Sequence, residues 1–392
     1  MDAQAFAAAI RPFIRPDRLV DTARRLVAVP SRTAEAGPAA DMLAQILAED
    51  GFEVERPVAD HPASPAVVVR FSASKPGRTL QFDGHIDVVH LPYVAPTLEG
   101  DLLKGSGSCD MKGGLAAAVE ALRAVRDSGL LAAGGILLTA HDHHEAPWGD
   151  GRQFDRLIRD GIVGDAVLIP EPLFDRLPTA GRGAATWTVT FRREGIPVHE
   201  VMRPAGQPSV IAAGARLVEL AWELNDRLSA KSDPVAGAES VFVGQIHAGE
   251  IYNQAPVSCF VEGTRRWLPG TSREHVETEF RALIAEVETK TGTTADVQFR
   301  FIRDAFRLNL DHPFVSVFRD AYRETSPGNV GLPDGPKPFV DDGNSVYALA
   351  GVPAITHGPR AGGQHTVDEW VSVEDLVRVA NLYATAALVF CQ

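Results

Sequence analysis

The chain has 392 residues, 45% of them apolar and 23% charged, with a formal net charge of -13. That length holds two or three domains and a sizeable core, and the composition is that of an ordinary globular protein. The acidity argues against nucleic acid or an anionic membrane as partner, because both attract basic faces, but not against an anionic substrate, since local charges dominate inside a site.

In chain order, residues 1–29 read as helical, with an amphipathic stretch that starts at Asp17 and ends near Pro30. Residues 39–50 repeat that pattern and stop at Gly51. Apolar, β-branched runs at 66–71, 79–89, 135–140 and 166–169 then alternate with a helical run at 115–125. This rhythm indicates an α/β fold with a mostly parallel sheet flanked by helices. From about Gly181 the order becomes strand 184–193, helix 209–228, strands 240–246 and 258–265, helix 273–289 and strand 295–301. That β-α-β-β-α-β order suggests a ferredoxin-like α+β insert. After about Asp304 the alternation resumes with a helix near 314–324, a strand at 353–356 and a closing helix at 373–390. One domain over 1–180 and 305–392, interrupted by a second over 181–304, is expected. No repeat or low-complexity tract is present.

The start, MDAQAFAAAIRPFIRP, lacks the charged region, apolar run and cleavage site of a secretory signal. No stretch approaches the roughly 18 apolar residues of a membrane span. Three scattered cysteines, Cys109, Cys259 and Cys391, make neither a disulfide framework nor a Cys-type zinc site. A cytoplasmic location is expected.

Five short polar patches sit where apolar runs end: Gly84-His85-Ile86-Asp87, Cys109-Asp110-Met111-Lys112-Gly113-Gly114, His143-His144-Glu145, Pro170-Glu171-Pro172 and Gln364-His365-Thr366. Their histidines and carboxylates are the ligand types that hold a pair of divalent metals. Apolar residues in 80–88 fall on even numbers, so His85 and Asp87 share a face. His85 is then free to bind a metal while Asp87 takes the proton on its other ring nitrogen. Asp110 is placed as the N-cap of a helix whose inner face is Leu115, Val119, Leu122 and Val125. The glycine pair at 113–114 is costly in a first helical turn unless backbone must come close to something there. In an open parallel sheet the carboxyl ends of strands meet at one crevice, where ligands bind.

These patches resemble those of the co-catalytic zinc amidohydrolase and exopeptidase family that includes acetylornithine deacetylase, succinyl-diaminopimelate desuccinylase, aminoacylase and glutamate carboxypeptidase. GHIDVV, GSGSCDMKGG, IPEP, the segment around His199, TRRWLPG and GGQHTVDEW carry the likeness. The resemblance implies two divalent metal ions, zinc by default with manganese or cobalt as options. It places one ion on His85 and Glu171, the other on Glu145 and His365, with Asp110 bridging. It also implies that the insert is a lid and dimerisation domain, so that His199 reaches the partner subunit's site to stabilise an oxyanion. Asn253 and Arg266 match positions that grip a substrate carboxylate.

The chain departs from the family where relatives carry Glu-Glu, a general base followed by a metal ligand. Counted without a gap, those positions are His144 and Glu145; a register shifted by two offers Asp142 and His143 instead. Imidazole can serve as the general base or as a third nitrogen ligand. Arg360, shortly before His365, is a second departure and a candidate anion contact. The stretch 340–345 follows the family's Asp-containing motif only loosely. The expected activity is dinuclear-metal hydrolysis of an amide-type C–N bond in a small carboxylate-bearing molecule by a homodimer. The alternatives are hydrolysis of a non-peptide C–N bond through His144, and a non-catalytic metal- or ligand-binding protein.

Overall fold

The computed structural model describes residues 1–392, which form two compact units. The first comprises Met1–Thr179, Arg307–Gly335 and Asp341–Gln392, and the second Ala180–Phe306 with Pro336–Val340. The domain bounds expected from sequence place 336–340 with the outer segments. The Lys337 N–H donates to the Ala180 carbonyl, and its ammonium lies 4.2 Å over the Phe306 ring, which ties that segment to the second unit.

The first unit is built on a six-stranded sheet in the order Val54–Glu55, Val67–Ser72, Gly135–His141, Thr79–His85, Ala166–Ile169 and Ala354–Thr356. The last four strands are mutually parallel, and the first two add antiparallel to one edge. Strands buried on both faces read as continuous apolar runs, as 135–138 and 166–169 do. The Gly113–Ser128 helix packs between this sheet and the Val373–Phe390 helix, with Pro16–Val27 beside it. It is therefore buried on every side from Gly113 to Val125, not only on the expected inner face, and its alanine-rich sequence permits that close packing.

Two expected boundaries move. The N-terminal helix is divided into Ala3–Ile10 and Pro16–Val27, because Pro12 and Pro16 supply no N–H for a continuous ladder. The strand expected over 79–89 ends at His85, after which the Ile86 N–H donates to the His141 carbonyl and the Val88 N–H to Ser31. No helix is long and apolar enough to cross a membrane.

The second unit has a four-stranded antiparallel sheet in the order Ser240–Ala248, Ser258–Trp267, Gly183–Arg192, Thr294–Arg303. Helices Val210–Ser229 and Arg273–Thr291 pack around Trp187, Phe191, Val261 and Phe280. This is the ferredoxin-like α+β order.

Candidate metal centre

Strand register brings the polar patches of the first unit to one rim. His85 pairs with His141, and Thr356 with Ile169, so four parallel strands end together. His85 closes its strand, Glu145 lies just past His141, and Glu171 lies just past Ile169. Asp110 arrives from the segment before the Gly113–Ser128 helix. A Cβ on Gly114 would stand 1.9 Å from the Pro170 carbonyl oxygen, so glycine lets this first turn lie against the segment carrying Glu171. Asp110 does not cap the helix, the alternative that its position also allowed. It sits in non-helical backbone ahead of Gly113, with its carboxylate turned toward histidines.

The two oxygens of Asp110 are divided. Oδ1 lies 3.0 Å from His85 Nε2, and Oδ2 lies 3.2 Å from His365 Nε2. His85 Nε2 is also 3.4 Å from Glu171 Oε1, and His365 Nε2 is 3.2 Å from Glu145 Oε2. All five groups belong to the first unit, and all but His365 are buried. Glu171 Oε2 is buried with no hydrogen-bond partner. A buried acceptor without a donor suits a cation, and this oxygen-and-imidazole set is one that zinc, manganese or cobalt accepts.

The electrostatics point the same way. Burial, then the neighbouring Asp110, pushes Glu171 up to about 8 and raises Glu145. Burial works against the charge on Asp110 as well, but hydrogen bonds from His365 and His85 outweigh it and hold its carboxyl well below the usual range. Hydrogen bonds to Asp110 and Glu145 lift His365 to about 10. Protons on these groups occupy the place that divalent cations take when the carboxylates and imidazoles are deprotonated.

His144 and Glu145 face this cluster, whereas Asp142 and His143 do not. The Asp142 carboxylate accepts the N–H groups of Ala34 at 2.8 Å and Ala36 at 3.0 Å. The His143 ring packs edge-on against His61. The His144 ring stacks on His85, centroids 3.9 Å apart and planes 9° from parallel. Its Nδ1 donates to Asp342 Oδ2 at 2.7 Å, and its Nε2 lies 3.6 Å from Glu171 Oε1. Asp87 departs from its expected place. His85 Nδ1 donates to the Asp87 backbone carbonyl at 2.9 Å, and the carboxylate is 3.7 Å away. That carboxylate accepts the N–H groups of His144 at 3.2 Å and Glu145 at 3.0 Å, so it shapes the turn that presents them.

Three groups beside the cluster escaped sequence reading. Asp83, His141 and Asp342 are buried together, with His141 Nε2 3.4 Å from Asp83 and 3.3 Å from Asp342. Asp83 had a readable signal, a carboxylate two residues before His85 on the same strand face. Asp342 lay within the loosely matching 340–345 stretch. Gln364 Nε2 donates to Asp110 Oδ2 at 2.7 Å.

The remaining candidates make other contacts. His199 and Asn253 belong to the second unit, where the Asn253 amide lies 3.0 Å from His199 Nε2. Arg266 is in the same unit, and burial together with the neighbouring Arg182 lowers its pKa. Arg360 is exposed and directed at Ser372 and Asp101, at 3.5 and 3.9 Å, and not toward the cluster.

Comparison with known proteins gives a consistent picture. The sequence profile of peptidase family M20/M25/M40 matches residues 82–389. A succinyl-diaminopimelate desuccinylase from Methylobacterium radiotolerans is 27% identical, covering 94% of this chain and 95% of its own. The crystal structure of an aminopeptidase from Bacillus cereus superposes with a TM-score of 0.77 at 19% identity, over 96% of this chain and 99% of that one. A tripeptidase from Staphylococcus aureus gives 0.78 at 17%, with the same coverage.

Proposed function

The chain belongs to peptidase family M20/M25/M40 and is a metal-dependent hydrolase of amide or peptide bonds, and on that premise we propose that it is a dinuclear enzyme cleaving an amide-type C–N bond in a small carboxylate-bearing substrate. An N-acyl amino acid is the substrate class. The observation that carries this reading is the division of the Asp110 oxygens between two ligand pairs. His85 with Glu171 would hold one ion and His365 with Glu145 the other, with Asp110 shared between them. When bound, zinc ions supply an activated water and polarise the scissile carbonyl.

The protein's own groups do the rest. His144 accepts the proton from the attacking water at Nε2 and returns it to the leaving nitrogen. His199, beside Asn253, donates to the developing oxyanion across a homodimer. Arg266 and Arg182, two cations in one partly buried region, suit a substrate carboxylate. Support for the dimer comes from the outer face of the second unit. Ile211 and Trp222 on the Val210–Ser229 helix, and Phe242 and Ile246 on the free edge strand, are all exposed. A cytoplasmic location is part of this reading, supported by three cysteines that are all free and buried.

The test measures metal content and turnover together. Two ions per chain and hydrolysis of N-acyl amino acids are expected, both lost on Glu145→Ala. Full activity after chelation refutes the reading.

His144 itself favours a second reading, hydrolysis of a C–N bond to an aromatic amine or heterocycle, for which proton traffic differs. His144→Glu that confers ordinary deacylase activity while abolishing the native reaction would establish it.

A further inference from the structure

We propose that Asp342 is a positioning residue for the reaction: its carboxylate fixes His144 as the Nδ1–H tautomer with Nε2 facing the ligand cluster, and His141 with Asp83 holds Asp342 in place. This rests on the reading above, in which His144 moves protons.

The orientation of His144 is determined from two sides. Its Nδ1 donates to Asp342 Oδ2 at 2.7 Å, and that bond holds a proton on Nδ1, so that the neutral ring presents its lone pair at Nε2. The face of the ring lies against His85, nearly parallel. The stacking and the Nδ1 bond together fix the ring, with Nε2 turned toward the cluster, 3.6 Å from Glu171 Oε1.

Asp342 is itself held from behind. It opens the Asp342–Ala350 helix, whose N-cap Asp341 forms a capping box with Asn344 and accepts the Thr356 hydroxyl at 2.6 Å. Thr356 ends the neighbouring parallel strand, so the first turn of this helix is fastened to the sheet. His141 lies between Asp342 and Asp83, and Asp83 in turn accepts the Thr139 hydroxyl at 2.5 Å. Gln81 donates to that hydroxyl at 2.7 Å. All of these side chains are buried, where a polar group left unsatisfied is costly. The result is a polar ladder inside the sheet that ends on one oxygen of Asp342 at the His144 ring. An ordinary buried ion cluster would not need to end on a residue of the catalytic rim.

Nitrogen-15 NMR of histidine-labelled, zinc-loaded protein reads the tautomer directly, with the His144 signal assigned from His144→Gln. The Nδ1–H form is expected, and the Nε2–H form in the unaltered protein overturns the proposal. Asp342→Asn, whose amide can donate to Nδ1, is expected to shift His144 to Nε2–H. It should lower kcat by roughly 10²–10⁴-fold with little change in KM, as wrong-tautomer variants do elsewhere. Two zinc ions per chain should remain bound, and Asp342→Glu should restore part of kcat. An unchanged tautomer, unchanged kcat, or a loss explained by lost zinc overturns it. The NMR measurement needs no substrate, so a protein that turns over no amide refutes the functional reading while the tautomer still decides on Asp342.

Discussion

Where the family resemblance implies a glutamate this chain has His144, and on the reading proposed above the proton carrier is a neutral base in place of an anion. A carboxylate beside two cations needs no orienting partner, whereas imidazole has two unlike nitrogens and must present the right one. Asp342 answers that need. A different histidine illustrates the opposite environment. His357 is buried with neither ring nitrogen hydrogen-bonded, edge-on to Phe318 and Tyr322. Burial pulls its pKa down to about 3, helped by Arg378. The unfolded chain therefore binds a proton below about 6.5 that the folded chain refuses. The contribution is absent above that pH and becomes an increasing loss of stability as pH falls from about 6.5 toward 3. Denaturation measured across this window should show His357→Phe flattening the acid limb, by on the order of a few kcal/mol at its lower end.

At the scale of elements, the site depends on how closely backbones approach. The Gly113–Ser128 helix can lie against Pro170 only without a side chain at Gly114, and that contact sets Asp110 near Glu171. Gly114→Ala places a methyl group against backbone that cannot move aside. The expected result is a loss of roughly 1–3 kcal/mol in chemical denaturation, in the range of overpacked sites. Weaker metal binding should accompany it, read by competition with a chromophoric chelator. A stable variant with unaltered metal affinity would remove the close approach as the reason for glycine.

For the whole molecule, metal and subunit association are the terms that folding alone leaves open. Ions that bind only the folded chain stabilise it by about 4 kcal/mol each at a thousand-fold excess over Kd. Thermal unfolding should thus rise on zinc addition and fall on chelation, and Glu145→Ala should blunt the response. The exposed apolar residues on the second unit make the second whole-molecule test. Sedimentation should report a dimer for the native chain and a monomer for Trp222→Glu combined with Phe242→Glu, both of whose side chains are exposed. Dimer persistence in that variant would place the interface elsewhere.

Periodicity and punctuation were enough to determine the alternating sheet, the α+β insert and the polar patches, because strands, helices and their ends are local consequences of sequence. The strand-end positions of His85 and Glu171 were legible for the same reason. Three things were decided only by tertiary structure. The register at 142–145 depends on Asp142 accepting N–H groups from residues 34–36, more than a hundred positions away in sequence. Asp87 took backbone amides in place of the His85 ring because the chain turns at Glu145. The polar ladder from Gln81 to Asp342 joins two strands and a helix start that no spacing rule connects. Local pattern sets what each segment is, but which side chains meet is set by strand order and register, and these follow from burying one shared core.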